Sequence, residues 1–392
     1  MRPTLPLEIV VDFAYISGVA SSPSYEWLRT GAEGLRAMLD AIQEATRSIR
    51  LETYIFADDR TGREFLTTLL AARTRGVRVQ VMVDGIGSLE LPDSFWTPLR
   101  EAGGDVRWFN PVALQRWSYR DHRKILVCDD AVAVIGGFNI ADEYNGDGVQ
   151  RGWRDLGLRL TGAAVTELAE AFDELFAKAG ASHRRFQRLR RAANEVVGGR
   201  DWRLLFSGPG RQRGQLRRSL GDDLANAQSV QIATAYFLPT WRLRRALARV
   251  CRRGGRVQLI LAGKSDVMVS KFASRRLYHK LLPAGVEIYE YQPQVLHTKL
   301  FIIDDVVYAG SANFDARSLR INYEVLLRLA NPLLATEARD LFAAHLPHCR
   351  RINLEEWRRS RSIFTSLWER WAYFLLVRID PILARRHWQG QP

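Results

Sequence analysis

Cysteine is scarce in this chain: Cys128, Cys251 and Cys349 are the only three in 392 residues. They are far apart, odd in number, and accompanied by no CxxC or Cys/His ligand spacing, which argues against a disulfide framework and against a zinc site. Cys128 lies inside an apolar run and reads as a small core residue, so a reducing compartment fits best. Long hydrophobic runs are missing too. The longest strictly apolar stretch, Trp371 to Val377, has seven residues. A membrane-spanning helix needs about 20. The N-terminal segment MRPTLPLEIVVDFAYISG carries Glu8 and Asp12 within its apolar stretch and makes a poor secretory signal. No transmembrane helix is expected, at the N-terminus or elsewhere.

Acidic residues are the third deficit. Lys plus Arg outnumber Asp plus Glu by 57 to 43, a formal net charge of +14. Such a balance favours a polyanionic partner, nucleic acid or an anionic membrane surface, without choosing between them. What is present is globular in kind: 47% of residues are apolar and 26% charged, which excludes disorder over most of the chain. The length predicts about two or three domains.

One plan is written twice. A helical stretch, GAEGLRAMLDAIQEATRS, leads into the strand-like IRLETYIFAD, a second amphipathic helix (REFLTTLLAARTRG) and another strand, VRVQVMVDG. The order returns as LRRSLGDDLANAQS, VQIATAYFL, TWRLRRALARVCRRGG and RVQLILAG. Apolar residues recur at three and four positions in the helices, while the strands are rich in Val, Ile and aromatics. Gly76, and later Gly254 with Gly255, stop the helices. Alternating strands and helices predict an α/β fold of two tandem homologous domains, each a mostly buried β-sheet flanked by helices. The expected limits are 1–195 for the first domain, closed by a basic linker from Arg184 to Arg191, and 196–350 for the second. Residues 351–392 form a basic, aromatic tail.

Each copy carries one polar set in an otherwise apolar strand. The first is His122-Arg123-Lys124, then Asp129, then Gly136-Gly137-Phe138-Asn139. The second is His297-Thr298-Lys299, then Asp304, then Gly310-Ser311-Ala312-Asn313. Alternate residues of a strand share a face, so each His and its Lys project together. A lone His or Lys on a strand is usually structural. The recurrence of the whole set in both halves decides for function.

The residue types suit phosphodiester chemistry. Two lysines neutralise the non-bridging oxygens and the charge that builds in the transition state. Asn139, Asn313 and Ser311 supply donors around a phosphate, beside glycines that permit close approach. One imidazole can attack phosphorus to give a phosphohistidine, while the other protonates the departing alkoxide and then activates the incoming alcohol or water. Each imidazole needs an acceptor that fixes its tautomer. Asp155 and Glu324, which follow the two motifs and precede similar apolar strands, are the best candidates. His122, Lys124, Asp129, His297, Lys299 and Asp304 form the candidate catalytic set, within which the two aspartates are expected to support the fold or the surroundings of the site rather than react. No carboxylate or histidine cluster has metal-ligand spacing, so neither metal nor cofactor is expected.

The paired motifs resemble the two HKD motifs of the phospholipase D superfamily. The flanking stretches LETYIFADDRTGREF, RGVRVQVMVDGIGS, VRWFNP, YRDHRKILVCDD, GGFNIADEY and GSANFDARSLRINYE are most similar to bacterial cardiolipin synthases, over roughly residues 30 to 330. The resemblance implies two similar domains that meet at one interfacial site and a metal-independent reaction through a phosphohistidine, with His122 as nucleophile and His297 as acid and base. Gly137 departs from the family pattern, where Ser or Thr is common, so the first half is expected to lend only a backbone N–H there. The second motif is one residue shorter between its Asp and its Gly, which predicts a tighter turn near Asp305.

The implied substrates are phospholipids, phosphatidylglycerol and a second lipid such as phosphatidylethanolamine, at the bacterial inner membrane. Nucleic acid is not expected, since small nucleases of the superfamily often carry one motif and dimerise. A hydrolytic phospholipase D is the alternative. In the tail, Ile363, Phe364, Leu367, Trp368, Trp371, Phe374 and Leu375 recur at helical spacing among arginines. They predict either a peripheral membrane anchor or a helix docked on the second domain.

Overall fold

The computed structural model describes residues 24–111, 119–179, 201–208 and 214–380. The expected basic linker and the boundary near residue 195 lie outside them. The first seven strands are β1 (Ser24–Leu28), β2 (Ser48–Thr53), β3 (Arg78–Asp84), β4 (Asp105–Phe109), β5 (Ile125–Cys128), β6 (Val132–Gly136) and β7 (Gly157–Thr161). They form one sheet in the order β1-β7-β6-β5-β2-β3-β4, parallel only along β2-β3-β4. The second half supplies β8 (Trp202–Ser207), β9 (Ser229–Thr234), β10 (Phe237–Leu238), β11 (Arg256–Lys264), β12 (Glu287–Val295), β13 (Lys299–Ile303), β14 (Val306–Gly310), β15 (Phe314–Asp315), β16 (Glu324–Ala330) and β17 (Cys349–Arg351). Its main sheet runs β8-β16-β14-β13-β9-β11-β12-β17, the order of the first sheet with one strand added at the edge. The duplication read from sequence is therefore a duplication of topology.

Period-two patterning builds three apolar layers. In β5, Ile125 and Val127 face a central layer while Leu126 and Cys128 face the outer helices of the first half. In β13, Leu300 and Ile302 face the same central layer, and Phe301 and Ile303 the outer core of the second half. The central layer joins the inner faces of both sheets with residues of the Ala163–Lys178 and Pro332–His345 helices. The two halves thus share a core instead of meeting at a polar seam, and the ends of β5 and β13 are fixed relative to each other.

The predicted helices form at Gly31–Glu44, Arg60–Thr74, Gln215–Asn226 and Trp241–Arg252. Thr30 and Asp59 cap the first two by accepting the amides of Glu33 and Gly62. The tighter turn is present. Cys128 pairs with Val132 across three turn residues in the first half, whereas Ile303 pairs with Val306 across only Asp304 and Asp305 in the second.

The tail forms a helix at Ile363–Phe374. Ala372 is buried in the second domain's outer core, with Tyr373, Leu376 and Val377 packed against it. Six residues of the predicted stripe, Ile363, Phe364, Leu367, Trp368, Trp371 and Phe374, are exposed on the other side, while the seventh, Leu375, is half-buried. Docking and an open apolar face, expected as alternatives, coexist on one helix. Among the described residues no helix is long and apolar enough to cross a membrane.

Candidate active site

Lys124 directly precedes β5 with His122 two residues before it, and His297 stands two residues before Lys299, the first residue of β13. All four side chains are buried. The segments before these strands are stitched across the molecule. His122 donates its backbone N–H to the Tyr323 carbonyl, and Tyr323 donates to Arg120. In the mirror arrangement, Arg154 donates to the Val295 carbonyl, while the amides of His297 and Thr298 donate to Arg154. Tyr323 and Arg154 directly precede Glu324 and Asp155. Each histidine is thereby brought to the carboxylate of the opposite half. His122 Nδ1 lies 3.1 Å from Glu324 and His297 Nδ1 lies 2.7 Å from Asp155. These are the two carboxylates singled out in the sequence; their crossed pairing follows from the interface, where each His meets the chain of the other domain.

The two lysines complete the cluster. Lys124 Nζ donates to the His122 carbonyl at 2.7 Å, and Lys299 Nζ donates to the His297 carbonyl. Burial, with Lys299 nearby, outweighs the pull of Glu324 and brings the Lys124 ammonium down to about 7. Burial likewise brings Lys299 down to about 8, against Asp155 and Glu324. His122 falls well below the ordinary histidine range, first through burial and then through Lys124, Lys299 and His297. Burial and Lys299 also lower His297, but there the Asp155 carboxylate opposes them by charge and hydrogen bond. Burial pushes Glu324 well up, partly offset by Lys124. An anionic phosphate beside the two buried lysines would favour their charged forms.

The two aspartates lie where a supporting part was expected of them, whereas the expected phosphate donors Ser311 and Gly137 are engaged elsewhere. Asp129 and Asp304 sit at the far ends of β5 and β13, about 16 Å along the strand from the lysines at ~3.3 Å per residue, and cannot react at this site. Both adopt left-handed turn conformations, φ 57° and 47°. The Asp129 carboxylate accepts the amides of Thr46, Arg47 and Ser48, and Asp304 those of Gln228 and Ser229. They fasten the hairpin to β2 and β9. Ser311 is not free for phosphate: its hydroxyl donates to Glu324 at 2.6 Å and accepts the Val325 amide at 3.1 Å. The Gly137 N–H, expected to face substrate, donates to the Leu156 carbonyl at 3.2 Å. Asn139 accepts the Ile55 amide at 3.0 Å and donates to the Tyr144 hydroxyl at 2.6 Å. Asn313 is buried, and its side-chain oxygen lies 3.4 Å from the Thr234 hydroxyl.

The walls were missed by motif reading. Tyr54 packs edge-on against His122 at 5.0 Å, with Lys124 5.2 Å from its ring centre. Tyr144 and Trp153 pack against His297 at 5.3 and 5.5 Å. Thr53 and Thr234 were missed as well, although their signal was available. They fall at equivalent places in LETYIF and IATAYF, and each bonds the carbonyl two residues on and the Asn of its own half.

Two topologically equivalent domains with paired His-x-Lys segments at one buried centre define an enzyme of the phospholipase D type. The fold is similar to that of phosphatidylserine synthase from Haemophilus influenzae Rd KW20, with a TM-score of 0.72 over 92% of this chain and 94% of that one, at 15% identity. A family model described as "Cardiolipin synthase, PLD-like domain" matches residues 38–177 and 221–346. Cardiolipin synthase B of Salmonella typhimurium is 33% identical over 80% of this chain and 78% of its own. Cardiolipin synthase 2 of Bacillus cereus is 36% identical over 76% of this chain, which spans 60% of that relative. The chain belongs to the cardiolipin synthase family of phospholipase D-like phosphatidyltransferases.

Proposed function

We propose that the chain makes cardiolipin by transferring a phosphatidyl group from one phospholipid, phosphatidylglycerol or phosphatidylethanolamine, to a hydroxyl of phosphatidylglycerol. The observation that carries this is the buried cluster of two carboxylate-held imidazoles and two lysines. With Nδ1 taken by a carboxylate, Nε2 is left as the reacting nitrogen of each ring. The asymmetry of their surroundings supports one order. Burial and the two lysines lower the His122 imidazole, which suits a nucleophile, while the Asp155 carboxylate opposes the lowering of His297, which suits a carrier of the proton.

In the first step His122 Nε2 bonds to phosphorus and the bond from phosphorus to the headgroup oxygen breaks, with the His297 imidazolium giving that oxygen its proton. His297, now neutral, takes the proton of the incoming glycerol hydroxyl. That oxygen displaces His122 and releases cardiolipin. Lys124, Lys299 and Asn313 would hold the phosphate oxygens.

The test is purified protein with labelled phosphatidylglycerol and phosphatidylethanolamine in vesicles, followed by lipid analysis. Cardiolipin should form, and turnover should fall on the order of 10²- to 10⁴-fold in His122→Ala and His297→Ala. Acid-quenched His297→Ala should carry phosphatidyl on His122. Phosphatidic acid as the sole product would make the chain a hydrolase, and full activity of His122→Ala would remove the site.

A peripheral seat on an anionic bilayer belongs to this reading. The exposed face of the Ile363–Phe374 helix is aromatic and flanked by the exposed Arg370 and Arg378. Tryptophans suit the headgroup boundary, and each basic residue near an anionic surface adds roughly 1 kcal/mol. Since the opposite face is part of the core, truncation before the helix would uncover Trp357 and the residues around Ala372. Trp368→Ser with Trp371→Ser is the sharper variant. It should weaken vesicle binding and leave activity on short-chain soluble lipid; equal loss of both would remove the membrane seat.

A further inference from the structure

A second cationic site lies away from the catalytic centre, at the outer edge of the second sheet. Here β17, the Leu354–Arg359 helix and the start of the Ile363–Phe374 helix enclose a cavity of about 400 Å³. Four arginines line it: Arg275, Arg350, Arg351 and Arg361. Two of them share one indole. The Arg275 guanidinium lies 4.8 Å and that of Arg361 5.3 Å from the ring centre of Trp357, which is 4% exposed. Two like charges held at one ring repel each other unless something negative joins them.

The donors around that ring are unsatisfied. Among the described residues Trp357 Nε1, Arg275 Nε and Arg361 Nε are buried without a hydrogen-bond acceptor, and Glu369 Oε1 on the same lining is a buried acceptor without a donor. A buried donor without a partner costs on the order of 1–3 kcal/mol, so three on one cavity wall point to an absent acceptor. The acidic neighbours do not supply it. Glu290 bonds Arg350 at 2.7 Å and stands 3.6 Å from Arg275 Nε, too long for a hydrogen bond. Glu369 pairs with Arg361 and Glu287 lies 4.0 Å from Arg351. Burial pushes the Glu369 carboxyl up against the pull of Arg361 and Arg275, which weakens it as a competing anion. Glu356 sits at the exposed rim.

The far wall indicates the kind of anion. Thr365 lines the cavity, and its neighbours Phe364, Leu367, Trp368 and Trp371 line an open apolar hollow on the next face of the same helix. Guanidinium forks match phosphate oxygens, and an acyl chain matches the hollow. We propose that this cavity binds the phosphodiester headgroup of an anionic membrane phospholipid, whose chains lie along the Phe364–Trp371 face. Most of its residues fall outside the family-matched segments 38–177 and 221–346. The site is built mainly by the tail, apart from the catalytic cluster, and it does not rest on the proposed reaction.

The experiment uses the full chain labelled with 5-fluorotryptophan, with the Trp357 resonance assigned by Trp357→Phe. Bicelles of phosphatidylcholine, the same bicelles with phosphatidylglycerol, and inorganic phosphate are titrated in turn. Phosphatidylglycerol should shift the Trp357 signal saturably and phosphatidylcholine should not. Inorganic phosphate should need on the order of 100-fold more ligand, because it lacks the chains that concentrate the headgroup. Thr365→Glu puts a negative charge on the wall, at the position where Ser362 and a glutamate form a capping box, so the helix is kept. That variant should lose the shift and keep turnover on short-chain soluble lipid. A shift that survives Thr365→Glu, or that phosphatidylcholine produces equally, overturns the site. Equal potency of free phosphate overturns its assignment to a lipid.

Discussion

Nδ1 of His122 lies 3.1 Å from the carboxylate of Glu324, 202 residues away in the other half of the chain. With His297 and Asp155 related in the same way, neither half holds a complete His–carboxylate pair. The backbone bonds from His122 to Tyr323 and from His297 to Arg154 fix this exchange before any side chain is considered.

Crossing can be read in solution. Asp155 raises the His297 imidazole by charge and hydrogen bond, against the lowering by burial and Lys299. Removing that carboxylate in Asp155→Asn should lower His297 further while leaving His122 nearly unchanged. Histidine ring resonances followed by NMR against pH measure both. Movement of His122 in Asp155→Asn, with His297 still, would mean that each half pairs within itself.

A second expectation concerns the Asp of each motif. Asp129 spends its carboxylate on the amides of Thr46, Arg47 and Ser48, far from the lysines. Burial pushes this carboxyl up, but those amides and the Thr46 hydroxyl hold it at about 2, below the free value of about 3.9. Its folded value is depressed, so its contribution to stability is present above pH ~4 and is lost as pH falls toward ~2. Asp129→Ala should cost about 1–3 kcal/mol, toward the lower end because the carboxylate is partly exposed. Chemical denaturation at pH 7 reads the cost, and turnover of the folded variant should stay within a few-fold of wild type. Loss of turnover on the scale of His122→Ala, with unchanged stability, would restore Asp129 to the chemistry.

Why the sequence yields some of this and not the rest follows from the range of each interaction. The His-x-Lys segments, the helices and the short turn at Asp304–Asp305 are local, set by period and spacing. Asp155 and Glu324 stand out because each opens an apolar strand that the repeat reproduces. Which His each one serves depends on how two sheets pack through Val127, Leu158, Ile302 and Leu327, and no local pattern carries that. Ser311 looked like a phosphate donor because it sits in the motif. Only the fold reveals that Glu324 and the Val325 amide use its hydroxyl. The tail stripe at three- and four-residue spacing was visible, yet Ala372, Tyr373 and Leu376 on the opposite side dock the same helix.

Anion affinity should follow the two lysines. Burial brings Lys124 down to about 7 and Lys299 to about 8. Both are lowered, so each is charged below its value and neutral above it. Dissociation constants for a soluble phosphodiester should therefore rise as pH increases through 7 and 8, with the bound anion moving the transition upward. Lys299→Met should remove the higher phase and weaken binding at pH 6. A pH-independent affinity from 6 to 9 would show that the lysines do not meet the phosphate.

Gly137 and Ser311 occupy equivalent places and support their carboxylates in opposite ways. Ser311 holds Glu324 with its hydroxyl at 2.6 Å. At Gly137 there is no room for a side chain, since a Cβ would lie 2.1 Å from Asp155 Oδ1. The glycine is what lets Asp155 sit 2.7 Å from His297 Nδ1 while its other oxygen accepts the Leu156 amide at 2.8 Å. Gly137→Ala should therefore displace the Asp155 carboxylate and cost about 10- to 100-fold in turnover, the usual range for a partner that orients a reacting ligand. Ser311→Ala leaves Glu324 in place and removes one donor, so its loss should be smaller. A structural defect would depress both variants in proportion to lost stability. A positioning role predicts instead that Gly137→Ala lowers the His297 titration, as Asp155→Asn does, with melting temperature little changed. Wild-type turnover in Gly137→Ala, or a His297 titration that does not move, would show that Asp155 does not depend on the empty space at Gly137.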